Sequence, residues 1–112
     1  MREELVATYR WLRQYGNNDS HSGNASLRDG DVLWLTPTGA CADTLTASDL
    51  VECPVLGPCA RGASLDAPLH QLVYQKNPQA RAVLHSHGPY TVAVTLCGEN
   101  FHPLDFEGQY YF

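Results

Sequence analysis

Ala82-Val-Leu-His85-Ser-His87-Gly88 is an apolar run that ends in His-x-His, and Ser64-Leu-Asp66-Ala-Pro-Leu-His70 stands upstream of it. The first stretch reads as a short buried strand. Extended side chains alternate in direction, so residues two apart share a side and His85 and His87 can present both imidazoles to one ion. The second stretch places an acidic residue at the head of a helix. Pro68 falls in its first turn, where a missing N–H costs nothing. Leu69, Leu72, Val73 and Lys76 follow helical spacing, and Asn77-Pro78 closes the helix. A helix that returns to a strand carrying paired histidines decides how the rest of the chain is read. No other part of the sequence concentrates ligand-type side chains so tightly.

Upstream, Leu5, Tyr9, Leu12 and Tyr15 recur at three- and four-residue steps, with Val6 and Trp11 on the flanks. This spacing predicts an amphipathic helix over 2–15. Glu3 and Glu4 in its first turn and Arg10 and Arg13 in its last complement the helix dipole. Gly16 is the expected stop, followed by a polar loop from Asn17 to Ser22. Residues 24–28 and 31–36 read as a β-hairpin, with Asp29-Gly30 as a type I′ turn signal. Val32 to Leu35 has no polar face, which predicts burial on both sides. Thr36-Pro-Thr-Gly39 is a turn, Thr46-Ala-Ser-Asp49 offers caps for a short helical turn, and residues 50–55 form a further strand. A Gly- and Pro-rich loop over 57–62 leads to Asp66. Beyond the histidines, residues 89–96 read as a helix of small residues. Phe101, Phe106, Tyr110, Tyr111 and Phe112 crowd the final stretch, a composition that calls for either a covering partner or a natural continuation of the chain and predicts oligomerisation or poor solubility.

The chain has 112 residues, 44% of them hydrophobic and 17% charged, which fits one globular domain over 1–112. Seven basic and twelve acidic residues give a formal charge of -5. The basic residues are scattered, leaving no footprint for nucleic acid or an anionic membrane surface. No apolar run has the length of a membrane span, and the N-terminus lacks the apolar core of a signal peptide. A cytoplasmic chain with reduced thiols is the expectation, since Cys41, Cys53, Cys59 and Cys97 form no Cys-x-x-Cys pair.

Each candidate residue has a structural reading beside the chemical one. A histidine in a core is commonly a hydrogen-bonded packing residue, but two at i, i+2 at a strand end suit zinc or a neighbouring divalent ion. Such a pair leaves room for a carboxylate or a third histidine. Asp66 is a preferred helix N-cap; the alternative is that its carboxylate reaches a metal or a substrate proton. His70, one turn later, reads as packing or as support behind the site. Gly23-Asn-Ala-Ser-Leu-Arg28 has small residues that let the backbone approach a ligand and an amide able to grip an oxyanion. A tight loop before a strand would look the same. Thr38-Gly39 is ordinary turn chemistry as much as a phosphate contact, and the Gly-Lys-Ser/Thr element of a P-loop is missing.

In this order the pieces resemble the class II aldolase/adducin family. Gly23-Asn-Ala-Ser-Leu-Arg28 is similar to its Gly-Asn-x-Ser-x-Arg loop, and Thr36-Pro-Thr-Gly39 to its Thr-Pro-Ser-Gly turn. Ser64-Leu-Asp-Ala-Pro-Leu-His70 resembles Ser-Ser-Glu/Asp-x-x-x-His, and Val83-Leu-His-Ser-His-Gly-Pro-Tyr90 the Val-x-His-x-His segment. The resemblance covers roughly residues 5 to 98. It implies an α/β fold, an α/β/α sandwich around a mainly antiparallel sheet, incomplete at the C-terminus. It further implies a ring-like homo-tetramer with sites between subunits. The implied activity is that of a metal-dependent carbon–carbon lyase or epimerase acting on a sugar phosphate or related hydroxy-ketone through a metal-stabilised enediolate. The implied metal is zinc, with manganese, cobalt and iron as alternatives. Carried across residue by residue, His85 and His87 are metal ligands. Asp66 is a further ligand or the proton-transfer residue. Gly23, Asn24, Thr38, Gly39 and Ser64 contact substrate or phosphate. The alternative is a non-catalytic, adducin-like binding or assembly module, or an inactive shortened homologue.

Three departures qualify the resemblance. Asp66 stands where similar aldolases carry Glu, whereas the family's pentulose-phosphate 4-epimerases carry Asp there. Leu65 replaces the second Ser of the Ser-Ser pair and removes a hydrogen-bond donor, and His21 holds a position often given to a small hydroxyl residue. The family's remaining histidine ligand lies well downstream of the His-x-His pair, and His102 falls too early to match it, so the chain resembles the first half of the fold.

Overall fold

The computed structural model describes residues 1–100, 102–105 and 109–110. Four strands form one sheet in the order β3-β2-β1-β4, with every pairing antiparallel. In chain order the elements are α1 (Arg2–Gln14), β1 (Asn24–Asp29), β2 (Val32–Leu35), a 3₁₀ turn (Ala47–Asp49), β3 (Val51–Pro54), α2 (Ala67–Lys76), β4 (Ala82–His85) and α3 (Pro89–Leu96). Strand alternation divides the side chains between two layers. Ala25 and Leu27 face Leu5, Val6 and Tyr9 of α1 and the Ala40–Leu50 segment. On the opposite face Leu33, Leu35 and Cys53 pack with Ala67 and Tyr74 of α2. Helices therefore cover both faces of a mainly antiparallel sheet, the expected α/β/α arrangement. No helix among the described residues is long and apolar enough to cross a membrane.

Several details differ from the sequence expectations. The hairpin pairs Asp29 with Val32, so its two central residues are Gly30 and Asp31. Only Gly30, at φ +61°, is left-handed. A type I′ turn needs positive φ at both central positions, so the turn has the type II′ pattern, with glycine first. β2 is fully buried only on the α2 face, at Leu33 and Leu35. On the other face Trp34 is half-buried, with Arg2 stacked 4.4 Å over its ring. Tyr15, at the end of α1, is exposed and makes an edge contact with the exposed Trp11 instead of joining the core. The lasting anchor of that helix end is Arg10, whose guanidinium donates to the carbonyls of Ala42 and Leu45.

The correction that matters most for function concerns α2. The buried face is Ala67, His70 and Tyr74, while Leu69 and Leu72 are half-exposed. The short turn at Thr46 matches the reading of its caps, with the Thr46 N–H and hydroxyl both donating to Asp49 Oδ2. All four cysteines are free thiols. Of the C-terminal aromatics, Tyr110 is exposed; Phe101, Phe106, Tyr111 and Phe112 lie outside the described residues.

Candidate functional site

Two repeats of nearly equal length bring the candidate residues together. Four residues of helix advance about 6 Å and two residues of strand about 6.6 Å. Asp66, His70 and Tyr74 stand at four-residue steps from the head of α2, and Asn24 and Ser26 stand two apart on β1. The two rows therefore face each other nearly in register. Ser26 Oγ lies 2.8 Å from the Tyr74 hydroxyl and 2.7 Å from His70 Nδ1. His70 Nε2 lies 2.5 Å from Asn24 Oδ1. Asn24 Nδ2 donates to Asp66 Oδ2 at 2.5 Å. Asn24 pairs across the sheet with His85 of β4, and His85 Nδ1 reaches the same Asp66 oxygen at 3.1 Å.

Asp66 thus occupies the N-cap position of α2 without its side chain capping the helix. Ser64 takes part of that work, its hydroxyl accepting from the Asp66 N–H. Donation from Asn24 holds the Asp66 carboxyl below the usual carboxylate range; partial burial opposes this, and the His85 contact adds to it. Burial has the dominant effect on His70, whose pKa is pushed down to about 4 despite the nearby carboxylate. That ring is fully buried and neutral at ordinary pH.

His87 lies past the end of β4, yet its ring sits beside that of His85, with centroids 4.8 Å apart. The backbone N–H of His87 is held by the Asn17 carbonyl at 3.0 Å and by Asn18 Oδ1 at 2.8 Å. Asn18 is buried, and its Nδ2 has no hydrogen-bond partner among the described residues. Gly23 is packed against the same side chain. At φ +70°, a Cβ there would strike the His85 carbonyl and lie 2.5 Å from Asn18 Nδ2. Asn18 was not singled out in the sequence, because nothing in a polar Asn17–Ser22 loop marks one amide as buried.

The remaining candidates adjoin this cluster to different degrees. Pro37 bridges to Ala63, Thr38 N–H bonds the Gly62 carbonyl, and Ser64 N–H bonds the Thr36 carbonyl. These contacts lay the Thr38-Gly39 turn beside the Ser64 loop, while Thr36 Oγ accepts from the Ala25 N–H next to Asn24. No hydrogen bond joins Thr38 or Gly39 directly to Asp66, His85 or His87 among the described residues. Leu65 is 88% exposed and offers no polar group where the family pattern has a hydroxyl. An open cavity lined by Arg13, Asn18, Ser22, His87, Pro89 and Val92 flanks the second histidine, with a volume of about 650 Å³.

The donor chemistry fits part of a divalent metal's coordination sphere. Two adjacent imidazoles are the right ligand type, and a carboxylate behind His85 is the usual partner of a metal-binding histidine. Among the described residues no group of three or more His, Cys, Asp or Glu side chains could hold a metal ion.

Residues 3–112 match the model of the Class II Aldolase and Adducin N-terminal domain. Methylthioribulose-1-phosphate dehydratase of Citrobacter koseri is 36% identical over 88 residues, covering 75% of this chain and 43% of that protein. The 3-oxo-tetronate 4-phosphate decarboxylase of Cupriavidus necator is 33% identical over 100 residues, covering 88% of this chain and 46% of that protein. The chain therefore spans less than half the length of both curated relatives. The crystal structure of L-fuculose-1-phosphate aldolase from Thermus thermophilus superposes with a TM-score of 0.81 at 36% identity, covering 99% of this chain and 61% of that one. The family match takes in the whole sheet and both histidines, and the chain belongs to the class II aldolase and adducin family.

Proposed function

We propose that this chain forms the metal-binding half of a lyase or epimerase acting on a sugar phosphate or related hydroxy-ketone. The observation that carries the reading is the placement of Asp66. A residue suited to cap its helix instead puts its carboxylate on His85, beside His87, at one end of the sheet. The relatives are enzymes of one family whose names share a phosphorylated substrate and differ in reaction.

In this reading His85 and His87 hold a divalent ion, zinc first and manganese, cobalt or iron as alternatives, together with a donor from outside the described residues. When bound, the ion supplies Lewis-acid polarisation of substrate oxygens. Asp66 orients His85 through Nδ1, and its second oxygen, Oδ1, carries no hydrogen bond among the described residues. That oxygen is the one free to take a hydroxyl proton as the adjacent carbon–carbon bond breaks. The electron pair of that bond passes to the carbonyl-bearing fragment, and the hydroxyl carbon becomes the new carbonyl. Gly23, Asn24, Thr38, Gly39 and Ser64 are assigned to the substrate. One Nδ2 hydrogen of Asn24 is already on Asp66, so only the other can meet it. The protein works as a cytoplasmic homo-tetramer with small-molecule substrates.

Metal analysis of the purified protein tests the reading directly. Stoichiometric zinc, manganese, cobalt or iron, lost in His87→Ala, is the expected result. Substoichiometric metal both before and after reconstitution would sink it and leave a non-catalytic, adducin-like binding module.

A further inference from the structure

The hydrogen bonds behind Asp66 have only one consistent direction. An ionised carboxylate accepts and never donates, so Asn24 must turn Nδ2 towards Asp66 Oδ2. The same amide then presents Oδ1 to His70 Nε2. An amide oxygen accepts only, so Nε2 must carry the ring proton. With the ring neutral, Nδ1 is bare and the Ser26 hydroxyl must donate to it. The Ser26 oxygen is left to accept from the Tyr74 hydroxyl, which also reaches the Ser26 carbonyl at 3.1 Å. Every donation runs from the core towards the carboxylate. Two members have a distinct donor side and acceptor side, the Asn24 amide and the His70 ring, and His70 is the one that couples the amide to Ser26 and Tyr74 in the core.

We propose that His70 is a positioning residue: kept as its Nε2–H tautomer by Ser26, it locks the Asn24 amide with Nδ2 on Asp66 and so keeps that carboxylate on Nδ1 of His85. Without the His70 donor the Asn24 amide keeps only its contact to Asp66 and leaves Oδ1 unpaired, so inversion, which Oδ1 and Nδ2 allow by filling almost the same space, costs one hydrogen bond less. An inverted amide would set its oxygen against the carboxylate and push Asp66 away from His85. The effect on the histidine pair rests on the metal reading given above. The tautomer and the amide orientation do not.

Two measurements separate those parts. In ¹⁵N-histidine-labelled protein, long-range proton–nitrogen correlations should show His70 protonated at Nε2 and bare at Nδ1. A ring protonated at Nδ1, or at both nitrogens near neutral pH, would overturn the proposal. His70→Leu should speed exchange of the Asn24 side-chain amide protons and weaken zinc binding about 10–100-fold, the range for groups that support a metal ligand. His70→Gln, which restores an N–H donor, should recover most of both. A folded His70→Leu protein with unchanged Asn24 exchange would also overturn it. If no variant binds zinc while the tautomer and amide exchange behave as stated, the positioning role stands and the metal reading fails.

Discussion

Gly23→Ala should be far more damaging than a glycine substitution at a comparable backbone angle, and the difference can be worked out from the local packing. Gly16 and Gly23 lie in the same loop at φ +76° and +70°. A methyl group at Gly16 would meet nothing within 4 Å. Its cost is the left-handed backbone alone, about 1–2 kcal/mol. At Gly23 the same methyl would run into the His85 carbonyl and both polar atoms of the Asn18 side chain. Neither neighbour yields freely: the carbonyl belongs to a strand paired with β1, and Asn18 is bonded to His87. Overpacking of that kind adds about 1–3 kcal/mol, for a total of roughly 2–5 kcal/mol. In a domain of about this size each kcal/mol moves the thermal midpoint by about 4–8 °C. The Gly23→Ala midpoint should therefore fall roughly 5–20 °C below that of Gly16→Ala. Calorimetry or circular dichroism on both variants gives the comparison. Equal midpoints would show that the close approach of Gly23 to the histidine segment is not made in solution.

Other tests follow from the buried polar row. His70 has a folded pKa of about 4 against about 6.5 unfolded, so between those values the unfolded chain binds more protons. Stability is then complete above pH about 6.5 and is lost as pH falls through 4, by on the order of 3 kcal/mol. Urea denaturation at neutral and mildly acid pH checks this, with the slope flattened in His70→Gln; an equal slope in that variant would refute it. Tyr74→Phe removes a buried hydroxyl shared by Ser26 Oγ and the Ser26 carbonyl and should cost about 1–2 kcal/mol in the same assay. A neutral effect would mean that the hydroxyl is not a working donor. Asn18→Ala deletes one acceptor of the His87 N–H and should raise hydrogen exchange at that amide, with a stability cost of about 1 kcal/mol. Unchanged exchange would assign the amide to the Asn17 carbonyl alone.

The sequence made the order and type of the elements readable, because each carries its own period and punctuation. Helix spacing from Leu5 to Leu12, the glycine near the hairpin, the Thr46–Asp49 caps and Asn77-Pro78 are all local signals. The errors arose where distant contacts decide. Leu69 and Leu72 satisfy a helical apolar period, yet α2 turns His70 and Tyr74 inward, because Asn24 and Ser26 on β1 supply partners for their polar atoms. A pattern that counts histidine as polar cannot see that match. The one-residue slip of the hairpin turn has a similar origin: the pairing of Asp29 with Val32 is fixed by the sheet, not by the Asp-Gly dipeptide. For the site, strand alternation led to the expectation that His85 and His87 share a side; β4 ends at His85, and the two rings lie side by side just beyond that end. The buried Asn18 was not legible, since its environment is built by Gly23 and the backbone of the histidine segment.

Asp66 shows how local preference and site geometry can compete for one side chain. As an N-cap it could satisfy an orphan N–H of α2, a contribution of about 1 kcal/mol. The helix start reduces the need for it: Pro68 brings no N–H, the Ala67 N–H bonds the Ser64 carbonyl, and the Ser64 hydroxyl accepts from Asp66 itself. With those groups met by neighbours, the carboxylate is free to turn to Asn24 and His85, and its side chain is 43% exposed. A half-exposed carboxylate held by two donors through one oxygen, with no hydrogen bond at the other among the described residues, is poorly explained by helix stability. Violations of a local rule that neighbouring residues compensate are a mark of functional positions. In this chain the compensation comes from Ser64 and Pro68, and the buried row behind Asn24 fixes the direction in which the carboxylate points.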